Sequence, residues 1–290
     1  MKYLVVKGWL GFGDRLESLK MSIAYALKYN LQIYVDWTDS TWSHGTESFY
    51  TYFNLVNIPV LNSLDDIPSD ATVFPAFWKD NLKTPMSDEL AKKRDELKLN
   101  IGQLRGEYPA DVLVSANVGY RELFEDSTFF SNTFRVIHPR ILETIKQRNS
   151  QYNLSKCIGI HIRGTDRIKN EYKRQLSIQS LAINTTMHGG HSGKGMICVS
   201  DDKQSYELWK RFFPQTILMS SISLEHSSSK GNHHISKDEL KISKDEMNTD
   251  MLIDFFTLAM CDFILPTYRD SRFAKEASRL RPHVKAICGL

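Results

Sequence analysis

The 290-residue chain has little cysteine, little net charge and no long apolar run. Cys157, Cys198, Cys261 and Cys288 are widely spaced and never form CxxC, which argues against a disulfide framework and points to buried free thiols. A chain of this length buries roughly three quarters of its unfolded surface, so neither disulfides nor a structural metal is needed for stability. Lysine and arginine number 37 against 34 acids, a formal charge of +3; a local basic site for an anion fits this better than a broad nucleic-acid surface. No stretch reaches the ~18 apolar residues of a membrane helix, and the opening MKYLVVKGWLGFGD lacks a cleavage-like segment. The expectation is a cytoplasmic protein with no transmembrane segment. No DxD metal pattern and no short internal repeat occurs.

What is present is an alternation of strands and helices. Tyr3 to Lys7 predicts a strand, WLGFGD a glycine-rich turn, and Leu16, Leu19, Ile23 and Leu27 the buried stripe of a helix reaching about Tyr29. Leu31, Ile33 and Val35 continue as a strand. Gly8, Gly11 and Gly13 bring backbone amides near a ligand, but their GxxGxG spacing is not the dinucleotide GxGxxG, although Asp36 ends the second strand where a ribose-binding acid would stand. Trp37, Trp42 and His44 offer either a stacking surface for a sugar or packing beneath a loop. Proline-rich loops with a short strand near Val73 follow, then SDELAKKRDELKL, a solvated helix capped by Ser87. Strand Asp111–Asn117, a helix from Tyr120 to Phe130 and a helix opened by Pro139 complete a first domain, 1–150.

The second domain, 151–290, opens on CIGIHIRGTDR, where Ile158, Ile160 and Ile162 alternate as in a strand and Gly164 releases the chain. His161 and Arg163 share a face, with Thr165, Asp166 and Arg167 at the carboxyl end, where open α/β sheets keep ligands. Leu176–Met187 predicts a helix, MICVSDD a strand ending in Asp201 and Asp202, Ser205–Phe212 a helix and TILMS a strand. Residues 220–248 read as an irregular Ser-, Lys- and His-rich loop. Thr249 and Asp250 are positioned to cap MLIDFFTLAMC; DFILPT is a strand, Ser271 begins a helix and HVKAIC suggests a final strand. His188, His191, His233 and His234 raise a two-loop metal site, but match no zinc spacing. The whole is an α/β chain of two Rossmann-like domains facing across a cleft.

GWLGFGDRLESL, HIRGTDR, VSDD and TDMLIDFFTLAMCDFILPTYRDSRFAKEASRL, in this order, resemble the GDP-fucose-dependent fucosyltransferases of the nodulation, core α-1,6 and protein-O-fucosyl superfamily. Asp14 stands where that family commonly has asparagine, and the family's serine-rich loop is thinned here to TYRDSR. The resemblance implies a GT-B-like architecture with a donor-binding C-terminal domain and an acceptor-side N-terminal domain. It implies an inverting, metal-independent transfer of fucose to a hydroxyl of a glycan or glycoconjugate, with GDP-fucose as donor and no cofactor. It gives Arg163 the donor diphosphate, the alternative for that residue being a surface ion pair with Asp166, and Ser271 and Arg272 further contacts there. Gly11, Gly13, His161, Asp201 and Asp202 complete the expected donor site; His161 is alternatively a core histidine, and Asp201 and Asp202 alternatively helix caps, as is Asp270. Asp14 is the preferred base and Glu17 the second, both alternatively caps. Another sugar nucleotide, a dinucleotide oxidoreductase and a noncatalytic binding protein stay open.

Overall fold

The structure is a computed structural model and describes residues 2–97, 106–116, 128–164, 167–168, 170–189, 193–222 and 242–290. These fall into two compact units, Met1–Ile137 with Ala286–Gly289, and His138–Lys285 with Leu290. The helix Tyr120–Phe130 expected from sequence lies largely outside the described residues, as do Thr165, Asp166, His191, His233, His234 and most of the 220–248 loop.

In the first unit, β1 (Tyr3–Lys7), β2 (Gln32–Asp36), β4 (Val73–Phe74) and β5 (Val112–Ser115) form a parallel sheet in the order β2-β1-β5-β4. The central strand β1 is buried at every position, the pattern of a parallel strand covered on both faces. A separate antiparallel pair joins β3 (Phe53–Leu55) to β6 (Phe134–Val136). The helix Phe12–Tyr29 buries Leu16, Leu19 and Ile23 as its period predicts, but Leu27 is 38% exposed. The reason is length: 18 helical residues span ~27 Å and a five-residue strand ~17 Å, so the last turn runs past the sheet. The charged run after Ser87 forms two short helices, Asp88–Lys92 and Arg94–Leu97, rather than one, and Ser87 caps the first.

The second unit repeats the plan with β7 (Ile158–Ile162), β8 (Met196–Ser200), β9 (Ile217–Leu218) and β10 (Phe263–Pro266), all parallel, in the order β10-β7-β8-β9. The helices Glu171–Met187, Lys203–Phe212, Lys244–Ala259 and Arg272–Leu280 accompany them. Ile158, Ile160, Ile162, Ile178, Leu181 and Trp209 are among the core residues. Gly159 is required by close packing, since a Cβ there would lie 2.9 Å from Leu258 and 3.2 Å from Cys261. The helix Pro139–Tyr152, with proline in its first turn and Asn153 left-handed at its end, belongs to this unit; the division falls just before it. Its Arg148 donates to Thr257 Oγ1 (2.9 Å) and the Met219 carbonyl (2.7 Å) and pairs with Asp254 at 3.3 Å.

Three local expectations are corrected. The helix carrying MLIDFFTLAMC begins at Lys244, not at Thr249 or Asp250, because Ser243 and Glu246 close a reciprocal capping box nearly two turns earlier. HVKAIC is helical from Val284 to Cys288, with Val284, Ile287 and Cys288 buried at i, i+3 and i+4 spacing. The strand expected over TILMS is confined to Ile217–Leu218. All four cysteines are free and buried, as expected. Among the described residues no helix is long and apolar enough to cross a membrane.

Candidate functional site

The parallel sheet of the second unit gathers the chain's polar motif residues at its carboxyl edge. β7 ends at Ile162, so Arg163 and Gly164 begin the loop, while Asp201 and Asp202 follow β8 and Thr267 follows β10. The Arg163 amide donates to Thr267 Oγ1 at 3.0 Å, and the Thr267 amide to the His161 carbonyl at 2.9 Å. From the other side, Asp201 Oδ1 accepts from the Gly164 amide at 2.7 Å. The backbone on both sides of Arg163 is therefore tied to neighbouring strands. Gly164 has no alternative: an added Cβ would come within 2.3 Å of the Asp202 Cβ.

His161 is buried at 8% exposure, stacks on Phe273 with ring centroids 5.1 Å apart, and lies 3.4 Å through Nδ1 from Ser271 Oγ. Burial, reinforced by the Arg163 charge, pushes its pKa down to about 3, so at neutral pH the ring is uncharged. Ser271 caps the helix Arg272–Leu280, accepting from the Ala274 amide at 3.4 Å. Asp270, one alternative cap, is exposed and pairs with Arg167 at 3.7 Å. Burial lowers the pKa of Arg272, with Glu276 opposing the shift.

The neighbouring acids have different tasks. Asp202 caps the helix Lys203–Phe212 through the Gln204 amide at 3.2 Å, accepts from Ser205 and pairs with Arg174 at 3.2 Å. Asp201 holds the Gly164 amide. Thus the cap reading describes Asp202, and Asp201 braces the Arg163 loop.

In the first unit, Gly11 is the cap of the helix Phe12–Tyr29, while Gly13 and Asp14 lie in its first turn and Glu17 in its second. A Cβ at Gly11 would meet only Asp14 Oδ2, at 3.7 Å, leaving this backbone open to close approach. Leu10, just before it, is in the left-handed region at φ 65°, an uncommon conformation for a non-glycine residue. Its carbonyl accepts from Arg15 Nε at 3.0 Å. Arg15, buried, makes a bidentate pair with Asp39 (2.8 and 2.7 Å), donates to Thr41 at 2.6 Å, and lies over Trp37 and Trp42. Gly8 leaves room for it: a Cβ would stand 2.0 Å from Arg15 Nη1. Sequence reading missed Arg15, Asp39 and Thr267 as organisers, although Arg15 sits inside the quoted GFGDR.

Trp37 and Trp42 pack against Phe12, Phe49 and Tyr52 and are nearly inaccessible, so the packing alternative holds for both. Asp36 is taken by Lys7 at 2.5 Å and Thr38 at 2.5 Å, where a ribose-binding acid would be open. His188 Nδ1 stands 2.8 Å from the Asn184 carbonyl, and no group of three metal-ligating side chains occurs among the described residues.

No family model and no curated relative matches the chain. Solved structures do. NodZ α-1,6-fucosyltransferase soaked with GDP-fucose is 20% identical, with 97% of this chain and 94% of that one covered at a TM-score of 0.71. Fucosyltransferase NodZ from Bradyrhizobium is likewise 20% identical, with 96% and 92% covered and a TM-score of 0.70. POFUT1 in complex with GDP-fucose is 13% identical over 98% of this chain and 95% of that one, with a TM-score of 0.54. The chain therefore has the GT-B-like α/β fold of these proteins over nearly its whole length.

Proposed function

We propose that the protein is an inverting, metal-independent glycosyltransferase that moves fucose from GDP-fucose to a hydroxyl of a glycan or glycoconjugate. The observation that carries this reading is the convergence of Arg163, Asp201 and the Ser271-capped helix start at one sheet edge, on a fold shared with NodZ soaked with GDP-fucose. In such a transfer the bond between the sugar and the β-phosphate breaks, and negative charge grows on the departing diphosphate. Fixed donors aimed at that charge lower the barrier, and losing one commonly costs about 3 to 4 kcal/mol. Arg163 supplies a planar, bidentate cation, and the helix beginning at Arg272 supplies amides and the positive end of its dipole. A neutral His161 orients Ser271 without adding a competing charge.

The second unit is assigned the donor, with His161, Arg163, Asp201, Ser271 and Arg272, while Asp202 is kept as the cap of the neighbouring helix; the first unit is assigned the acceptor. Gly11 and Gly13 supply backbone approach. Asp14 is the preferred base for the incoming hydroxyl, Glu17 the second, because an inverting displacement needs an acceptor of the proton on the face opposite the leaving group. The partners are thus a nucleotide sugar and a glycan or glycoconjugate, in a cytoplasmic setting. The engagement of Asp36 by Lys7 and Thr38 weighs against the dinucleotide alternative.

Calorimetry against GDP, GDP-fucose, UDP and NAD tests the assignment. GDP and GDP-fucose should bind and the other two should not. Binding of UDP in place of GDP would select another sugar nucleotide, and binding of NAD with no response to GDP would overturn the proposal.

A further inference from the structure

Nine large hydrophobic side chains are exposed among the described residues, and four of them, Tyr172, Leu176, Ile183 and Met187, belong to the single helix Glu171–Met187, at 73, 54, 63 and 76% exposure. With 3.6 residues per turn they fall within about 60° of one another. The helix buries Ile178, Leu181, Ala182 and Thr185, which lie on its opposite side. The outer face is thus a second apolar stripe, of the kind that marks an interaction surface.

The spacing of the stripe identifies its occupant. Its steps of four, seven and four residues read the same from either end, with the midpoint between Gln179 and Ser180. A two-fold contact requires a patch that complements itself. An antiparallel copy rotated about an axis at that midpoint sets Tyr172 against the partner's Met187 and Leu176 against the partner's Ile183, so every apolar side chain meets another. The positions bordering the stripe are Gln175, Gln179, Ser180, Asn184 and Thr186, all uncharged, with Lys173 at one end. The same rotation places Lys173 beside the partner's Thr186 and keeps the two lysines ~20 Å apart along the helices. Charge therefore does not oppose the pairing. We propose that the helix Glu171–Met187 is the two-fold contact of a homodimer. A contact one helix wide falls short of the roughly 800 Å² per partner of a standard interface, so the dimer is reversible and concentration-dependent.

Sedimentation equilibrium of the full chain from about 1 to about 200 µM tests this. The wild type should pass from one chain to two, and Leu176→Glu with Ile183→Glu should weaken association at least tenfold while leaving the far-UV circular dichroism unchanged. A second pair of variants stands independently of that one. All four native cysteines are buried, so an introduced thiol is the accessible one. Ser180→Cys, near the axis, should form a disulfide-linked dimer under mild oxidation, and Tyr172→Cys, far from its own copy, should not. A wild type that stays monomeric throughout, or crosslinking of Tyr172→Cys in preference to Ser180→Cys, would overturn the proposal. So would a monomer that binds phosphatidylcholine vesicles through Leu176 and Ile183, because lipid would then be the occupant.

Discussion

Two buried ionisable groups of the second unit are pulled in opposite senses. His161 falls from 6.5 to about 3, by burial first and the Arg163 charge second. The folded state thus holds this ring neutral, and stability is lost as pH drops below 6.5, where the unfolded chain takes up the proton. Asp254 rises from 3.8 to about 7, through burial and then the neighbouring Asp250, which together outweigh Arg148 and the hydroxyl of Ser220. Its folded form retains the proton, so its contribution is fully present below pH 3.8 and disappears as pH rises through 7. Urea midpoints followed across that range should show it: the advantage of wild type over Asp254→Asn should shrink with rising pH, and His161→Gln should flatten the acid-side loss. A pH-independent difference between wild type and Asp254→Asn would contradict the assignment.

Among the elements, β7 and the turn after it carry the proposed donor site. The alternation in CIGIHIRGTDR made the strand legible, because a parallel central strand needs apolar residues at short period and tolerates glycine where a helix crosses closely. The supports of the turn were not legible. Thr267 and Asp201 reach it from strands separated from it by 104 and 37 residues, a tertiary pairing that no local pattern encodes. The same holds for Arg15, whose partner Asp39 lies 24 residues on, beyond β2. Helix starts were misplaced where a stronger cap lay upstream, as with Ser243 and Glu246. Gly164 gives this element its test. Alanine there would press on Asp202, the cap of the next helix; overpacking of this kind typically costs 1 to 3 kcal/mol, taken as ~2 kcal/mol. Gly164→Ala should lower the melting temperature by several degrees and weaken GDP binding at least tenfold, read by differential scanning fluorimetry and calorimetry. Unchanged affinity would show that the turn does not hold the donor.

At the scale of the whole molecule, the repeated strand and helix order predicted two parallel α/β units, and two four-stranded parallel sheets are present. Hydrophobic period carries that much because sheet burial is a local property repeated along the chain. It does not specify which hydroxyl would receive the sugar in the proposed reaction, since recognition of an acceptor depends on side chains from loops far apart in sequence. The measurement that bears most directly on the proposed chemistry is transfer of label from GDP-[14C]fucose to a glycan array, run with chelator and repeated with Arg163→Ala. Labelled product should form in the presence of chelator and fall by two to three orders of magnitude in the variant, the loss expected for one transition-state donor, while the variant keeps its fold. Undiminished transfer by Arg163→Ala, or a loss in chelator restored by manganese, would contradict the account.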